Sequence, residues 1–245
     1  MDVVVGTVAG LLVVYLVIVV PLVGRARYAR FRRAVVDDPS ARLRYYRSSL
    51  PWKYGVAALA VALYFANGSE TYGLRLAGFD GGDVTGLLWV ALGVAVGAVV
   101  VRLRLARPSW RAGLFRGIRG FVDLLPRTPT ERRMWVLVSV SAGITEEILY
   151  RAFLLIFLAG VLPDASVWTI VVISSAAFGF AHLYQGPKGV ILTGLLGAVL
   201  ATIVISAGLI GAIALHTLID LRILVIPPDA VTEATADPDR ETHPE

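Results

Sequence analysis

The sequence predicts an all-α protein, a polytopic membrane helix bundle of about seven transmembrane helices. Three observations lead there. Of its 245 residues 57% are hydrophobic and 17% charged, and the mean hydropathy is +0.73, whereas soluble domains are roughly 45–50% apolar and 25% charged. The apolar residues gather into runs of the ~17–25 residues that cross a hydrocarbon core. Most of the basic residues lie between those runs. There is no cysteine, which excludes disulfides, thiolate metal sites and a cysteine nucleophile together.

Hydropathy places the spans at residues 3–23, 50–66, 85–101, 134–159, 165–182, 189–206 and 208–226. The first lacks a basic start and is too long for a cleaved signal peptide, so it reads as a retained anchor. The fourth is the longest and a candidate for interruption. Residues 24–53 carry nine of the 23 basic residues and residues 102–133 nine more, so both loops are expected on the cytoplasmic side. The loop between the second and third spans has Arg75 beside Glu70, Asp80 and Asp83 and is expected outside. The N-terminus is then external and the C-terminus cytoplasmic. The pI of 9.7 does not point to nucleic acid, because the arginines adjoin spans, where topology and anionic headgroups account for them.

Within the second basic loop, Leu114, Phe115, Ile118, Phe121, Val122 and Leu125 share one helical face opposite Arg116, Arg119 and Asp123. That pattern suits a helix lying flat on the leaflet. Beyond residue 226 the chain turns acidic and proline-rich, and is expected to be a disordered tail that includes His243. The pairs Gly6/Gly10 and Gly93/Gly97 are expected to let helix backbones approach closely.

The ionisable candidates inside the later spans are Glu146, Glu147 and Arg151 in the fourth, His182 closing the fifth, and His216 and Asp220 in the last. A charged group at a helix centre costs about 2.5–3.5 kcal/mol on insertion scales, so these side chains are expected to face one another or water. Glu147 precedes Arg151 by four residues, the favourable order for an intrahelical ion pair, which leaves Glu146 free. His216 and Asp220 share a face, so the acid can orient the imidazole or join the same cavity. Phe178 stands four residues before His182 and is expected to pack beside its ring. Counting rise puts Glu146 and His216 roughly 18 Å from the cytoplasmic side at ~1.5 Å per residue, with His182 about two turns shallower. Carboxylates and imidazoles in one apolar cavity can activate water. The carboxylate is a general base, and the imidazoles either ligate a Zn²⁺ or donate to an oxyanion. A proton relay could use the same groups.

The three segments "EEILYR", "FGFAH" and "HTLID" resemble the EExxxR, FxxxH and HxxxN/D motifs of the CPBP family, the CAAX protease and bacteriocin-processing (Abi) intramembrane proteases. The resemblance covers roughly residues 130–225, and its three motifs fall on separate spans in the family's order. It implies an intramembrane metalloprotease-type endopeptidase in the cell membrane, acting on a membrane-embedded or lipidated peptide. Glu146 would activate the attacking water, with Glu147 and Arg151 supporting it. His182 and His216 would bind a metal or stabilise the oxyanion, and Asp220 would take the place often held by Asn. HExxH and GxSG elements of other membrane proteases are missing. The expected organisation is thus N-terminal helices over 1–129, a catalytic core over 130–226 and a tail over 227–245. The alternative function is a non-proteolytic immunity or scaffold protein, or a proton-coupled carrier.

Overall fold

The computed structural model describes residues 3–66 and 84–235, and within them every regular element is helical. The expected outward loop with Glu70, Arg75, Asp80 and Asp83, and His243 of the tail, lie outside those residues. Helix α1 (Val3–Val14) passes through a π-helical turn into α2 (Val20–Asp37), and α3 (Ala41–Ala66) runs on past Pro51. Helix α4 is Val84–Arg104 and α5 is Pro108–Gly117. After a 3-10 segment come α6 (Pro129–Glu147), a π-helical stretch at Ile148–Leu154 and α7 (Leu155–Val161). Helices α8 (Val167–Ala181), α9 (Gly186–Leu221) and α10 (Pro228–Thr235) complete the described residues.

The runs Val3–Asp37 and Leu183–Val225 are long and apolar enough to cross a membrane, and Val167–Ala181 is a shorter apolar helix. Leu92, Val96 and Val99 of α4, Val172 and Phe180 of α8, and Ile191 and Leu195 of α9 are all exposed. Rows of large apolar side chains on outer helix faces suit lipid contact. The main core joins Leu12 and Leu16 to Ala60, Leu154, Phe178 and Ala201, so the first helices pack on the segment that carries the motifs.

Local sequence explains the principal bends. Thr128 opens α6 with a capping box, accepting the Glu131 amide while Glu131 reaches back to the Thr128 amide. Pro129 at the first helical position fixes φ where no partner for its nitrogen is needed. The fourth predicted span is indeed interrupted, by the π-helical stretch that follows Glu147. The Tyr150 carbonyl within that stretch is taken by the Ser174 hydroxyl at 2.8 Å. In α9, Gly208 has φ 79° and ψ 174°, a region essentially closed to residues with a Cβ. The helix is kinked there, with Leu200 and Val204 before the kink and Ala212 and Leu215 after it in one buried cluster. The break falls between the two spans predicted at 189–206 and 208–226.

Three expectations are corrected. The flat amphipathic helix is broken at Ile118 into α5 and the 3-10 segment, and its Val122 and Leu125 are buried by Leu105, Ile226, Ala230 and Val231. The tail is not disordered throughout: α10 covers that apolar face, tied by Arg111 to Glu233 at 3.2 Å. Ala230 and Val231, adjacent in a short helix with Pro at its start, give it enough apolar surface to dock. Gly10, Gly93 and Gly97 have nothing within 4 Å of where a Cβ would stand, so they are not close-approach points. Gly143 and Gly179 are. A Cβ on Gly143 would lie 2.2 Å from Thr217 Oγ1, and one on Gly179 2.6 Å from the Val190 carbonyl oxygen.

The two basic loops lie at the same end of the bundle. Arg42, buried, donates to the Asp123 carbonyl and to Glu131 Oε1, both at 2.9 Å, and Arg32 pairs with Asp123 at 3.1 Å. Burial pushes the Glu131 carboxyl up, but the amides of Arg127 and Thr128 and the Arg42 guanidinium outweigh it and hold it below the usual glutamate range.

Candidate active site

Glu146 and Glu147 are the last two residues of α6, and their side chains diverge because successive helical positions are turned by about 100°. Glu147 is fully buried. Its Oε1 accepts from His216 Nδ1 at 2.7 Å, and its Oε2 pairs with Arg151 Nε at 3.3 Å. Arg151 also donates to the Gly197 carbonyl at 3.2 Å and stacks its guanidinium 4.1 Å above the Phe178 ring. Gly197 permits this, since a Cβ there would stand 3.2 Å from the Phe178 ring and 3.4 Å from Arg151 Nη2.

His182 caps the C-terminus of α8, with Nδ1 2.9 Å from the Phe178 carbonyl oxygen. The Phe178 ring stands edge-on to both imidazoles, at 4.8 Å from His182 and 5.9 Å from His216. A carbonyl and a carboxylate only accept, so these partners assign the proton of each neutral imidazole to Nδ1 and leave the Nε2 lone pair facing Glu146. His182 Nε2 lies 3.9 Å and His216 Nε2 4.0 Å from Glu146 Oε2. A water between them can donate one hydrogen to Glu146 Oε2 and the other to one of the two Nε2 atoms, at ~2.8 Å each. Asp220 Oδ2 is 3.9 Å from His216 Nε2, on the rim of the same cavity.

The structure therefore gathers every residue singled out in the sequence, but redistributes their roles. Glu147 and Arg151 do form the expected ion pair. The carboxylate that orients His216 is Glu147, from another helix, and not Asp220. The depth mismatch of His182 disappears because the helix ends do not share one plane: α8 stops at Ala181, while α6 starts at Pro129, five residues before the predicted span. Glu146 is not free either. Lys53 of α3 places Nζ 2.7 Å from Glu146 Oε1. Sequence reading missed Lys53 by counting it with the preceding basic loop. Its signal was available, because it lies inside the predicted 50–66 span, where a lone cation needs an anion.

These groups open into a cavity of about 1600 Å³, whose lining includes the apolar residues Leu16, Val20, Val56 and Leu149 and the basic residues Arg27, Arg119, Arg127 and Lys188.

A family model described as type II CAAX prenyl endopeptidase Rce1-like matches residues 128–222. That segment is similar to this family. No curated protein and no solved structure matches the chain. The Rce1-like segment runs from the Thr128 cap of α6 to Arg222, and so holds Glu146, Glu147, Arg151, His182, His216 and Asp220. Lys53 lies outside it.

The residues of the Rce1-like segment do not fit a metal centre in this arrangement. Among the described residues no group of three or more His, Cys, Asp or Glu side chains is placed to hold an ion. Donors of tetrahedral zinc stand roughly 3.3 Å apart, given ligand bonds of about 2.0–2.1 Å, and the Glu146 to histidine separations of 3.9 and 4.0 Å exceed that. One oxygen of Glu146 is moreover engaged by a cation. No step below is routed through a metal.

Proposed function

We propose that this protein is an intramembrane endopeptidase that cleaves a membrane-associated, isoprenylated or otherwise lipidated peptide, with Glu146 as the general base toward water. The observation that carries the reading is the convergence of Glu146 Oε2 with the Nε2 atoms of His182 and His216 at 3.9 and 4.0 Å. A water held there, with one hydrogen on Glu146 Oε2 and the other on an imidazole Nε2, can lose the first to the carboxylate and attack a carbonyl. The proton then passes from Glu146 to the departing amine. Glu147 fixes the tautomer and angle of His216, the Phe178 carbonyl does the same for His182, and Arg151 balances the charge of Glu147.

The apolar residues of the cavity lining suit a lipid chain and its basic residues an anionic peptide end or headgroup. Seven spans complete the reading, with α9 counted twice about Gly208. The N-terminus lies outside, and the joined basic loops lie inside at the plasma membrane. Because the site opens beside those loops, cleavage takes place near the cytoplasmic leaflet.

The test is cleavage of a farnesylated CAAX peptide by purified protein in detergent. Glu146→Gln is expected to lower kcat by roughly 100- to 10,000-fold with thermal unfolding unchanged. A wild type that leaves a library of isoprenylated peptides intact would favour the non-proteolytic alternative.

A further inference from the structure

Both imidazoles present lone pairs to the reacting centre, because their Nδ1 hydrogens are spent on the Phe178 carbonyl and the Glu147 carboxylate. As neutral rings they can hold water but bring no charge to a developing oxyanion. Arg151 cannot serve, since it is 2% exposed and lies behind Glu147 and the Phe178 ring. Among the described residues, the permanently charged group in contact with Glu146 is Lys53, at 2.7 Å, with its side chain 31% exposed.

We infer that Lys53 is a further catalytic residue, the cation that stabilises the oxyanion. This rests on the protease reading above. Before attack, the Lys53 ammonium offsets the Glu146 carboxylate. As the water oxygen bonds to the scissile carbon, Glu146 takes the water proton and becomes neutral, and the carbonyl π pair moves onto oxygen. The negative charge has only changed place, by a few ångströms, and the ammonium swings on its four-carbon stem to donate to the new anion. When the C–N bond breaks, the pair on oxygen re-forms the carbonyl and Glu146 gives its proton to the amine. Its own anion then recovers Lys53. One cation faces one anion at each stage, so no net charge is created in an apolar cavity. A cation already ordered at the site needs little reorganisation.

The position of Lys53 supports such a swing. It lies two residues beyond Pro51, inside α3, and its neighbour Trp52 bonds to Tyr15 of the first helix. Tyr54 is pinned to Ser141 of α6 at 3.0 Å. The backbone at Lys53 is thus held against α6 while the ammonium, among the described residues, hydrogen-bonds to the Glu146 carboxylate.

The experiment compares wild type, Lys53→Met and Lys53→Arg in detergent for farnesylated-peptide cleavage. It also measures affinity for two non-cleavable analogues, one with the scissile amide replaced by an anionic phosphinate and one by a neutral trans-alkene. Lys53→Met is expected to lower kcat about 100- to 1,000-fold with KM within about threefold. It should weaken the phosphinate by about 100-fold and the alkene by less than threefold, with unfolding temperature preserved. Lys53→Arg should recover at least about tenfold of the lost kcat. Equal weakening of the two analogues, or a Lys53→Met protein cleaving within about threefold of wild type, overturns the assignment and leaves the protease reading intact. A folded wild type that neither cleaves the peptide nor binds either analogue overturns both.

Discussion

Gly143 offers a direct test of how Glu146 and Glu147 are held against α9. A Cβ built there would stand 2.2 Å from Thr217 Oγ1, 3.0 Å from the Ile213 carbonyl oxygen and 3.2 Å from the Thr217 nitrogen. The Thr217 hydroxyl can turn to its other helical rotamer. The two backbone atoms cannot turn, so in Gly143→Ala α9 must retreat by about 0.4 Å to restore ordinary contact. His216 lies between them in the chain and moves with them, which stretches its 2.7 Å bond to Glu147 toward about 3.1 Å. Overpacking of this kind costs ~1–3 kcal/mol, offset by ~1 kcal/mol of helix propensity gained over glycine. The net loss is about 1 kcal/mol. A displacement of this size at a catalytic side chain is expected to reduce kcat/KM about tenfold. Thermal unfolding in detergent and cleavage of a farnesylated peptide read the two effects separately. Adding Thr217→Ala should restore only part of either, because the Ile213 and Thr217 backbone contacts remain. A Gly143→Ala protein with wild-type stability and activity would mean that α6 and α9 do not meet at this point.

Glu147→Gln removes the carboxylate that fixes His216 and leaves Arg151 buried and unpaired, so about 3–5 kcal/mol of stability should be lost, read as a fall in unfolding temperature. Gly208→Ala forces a Cβ into φ 79° and should cost ~1–3 kcal/mol, while the control Gly10→Ala, which meets nothing within 4 Å, should not lower the unfolding temperature. Because the folded Glu131 carboxyl is held below its unfolded value, its contribution is fully present above the unfolded pKa and is lost as pH falls through the folded one. Unfolding temperature measured from pH 7 to pH 3 should therefore fall less steeply in Glu131→Ala than in wild type. Val231→Asp should uncover Val122 and Leu125 and cost about 3 kcal/mol, seen as loss of α10 protection in hydrogen exchange. Treatment with a zinc chelator should leave peptide cleavage within about twofold of untreated protein, and abolition reversed by zinc would refute the water-only geometry.

The sequence by itself determined that the chain is helical and rich in apolar runs, that one helical segment ends near residue 206 and another begins near 208, and that a few ionisable residues must find each other. Those outcomes follow from local chemistry: hydropathy over one span, four-residue spacing, and the cost of a lone charge in an apolar surround. Spacing also gave the Glu147–Arg151 pair and the contact of Phe178 with His182, since both partners lie on one helix. Tertiary structure alone decided which carboxylate serves which base. Glu147 reaches His216 and Lys53 reaches Glu146 across helices far apart in the chain, and no periodicity within one helix reports on another. The docking of α10 and the close approach at Gly143 have the same origin. A glycine pattern says that a backbone can come near, whereas only the packed partner, present at Gly143 and missing at Gly10, says whether it does.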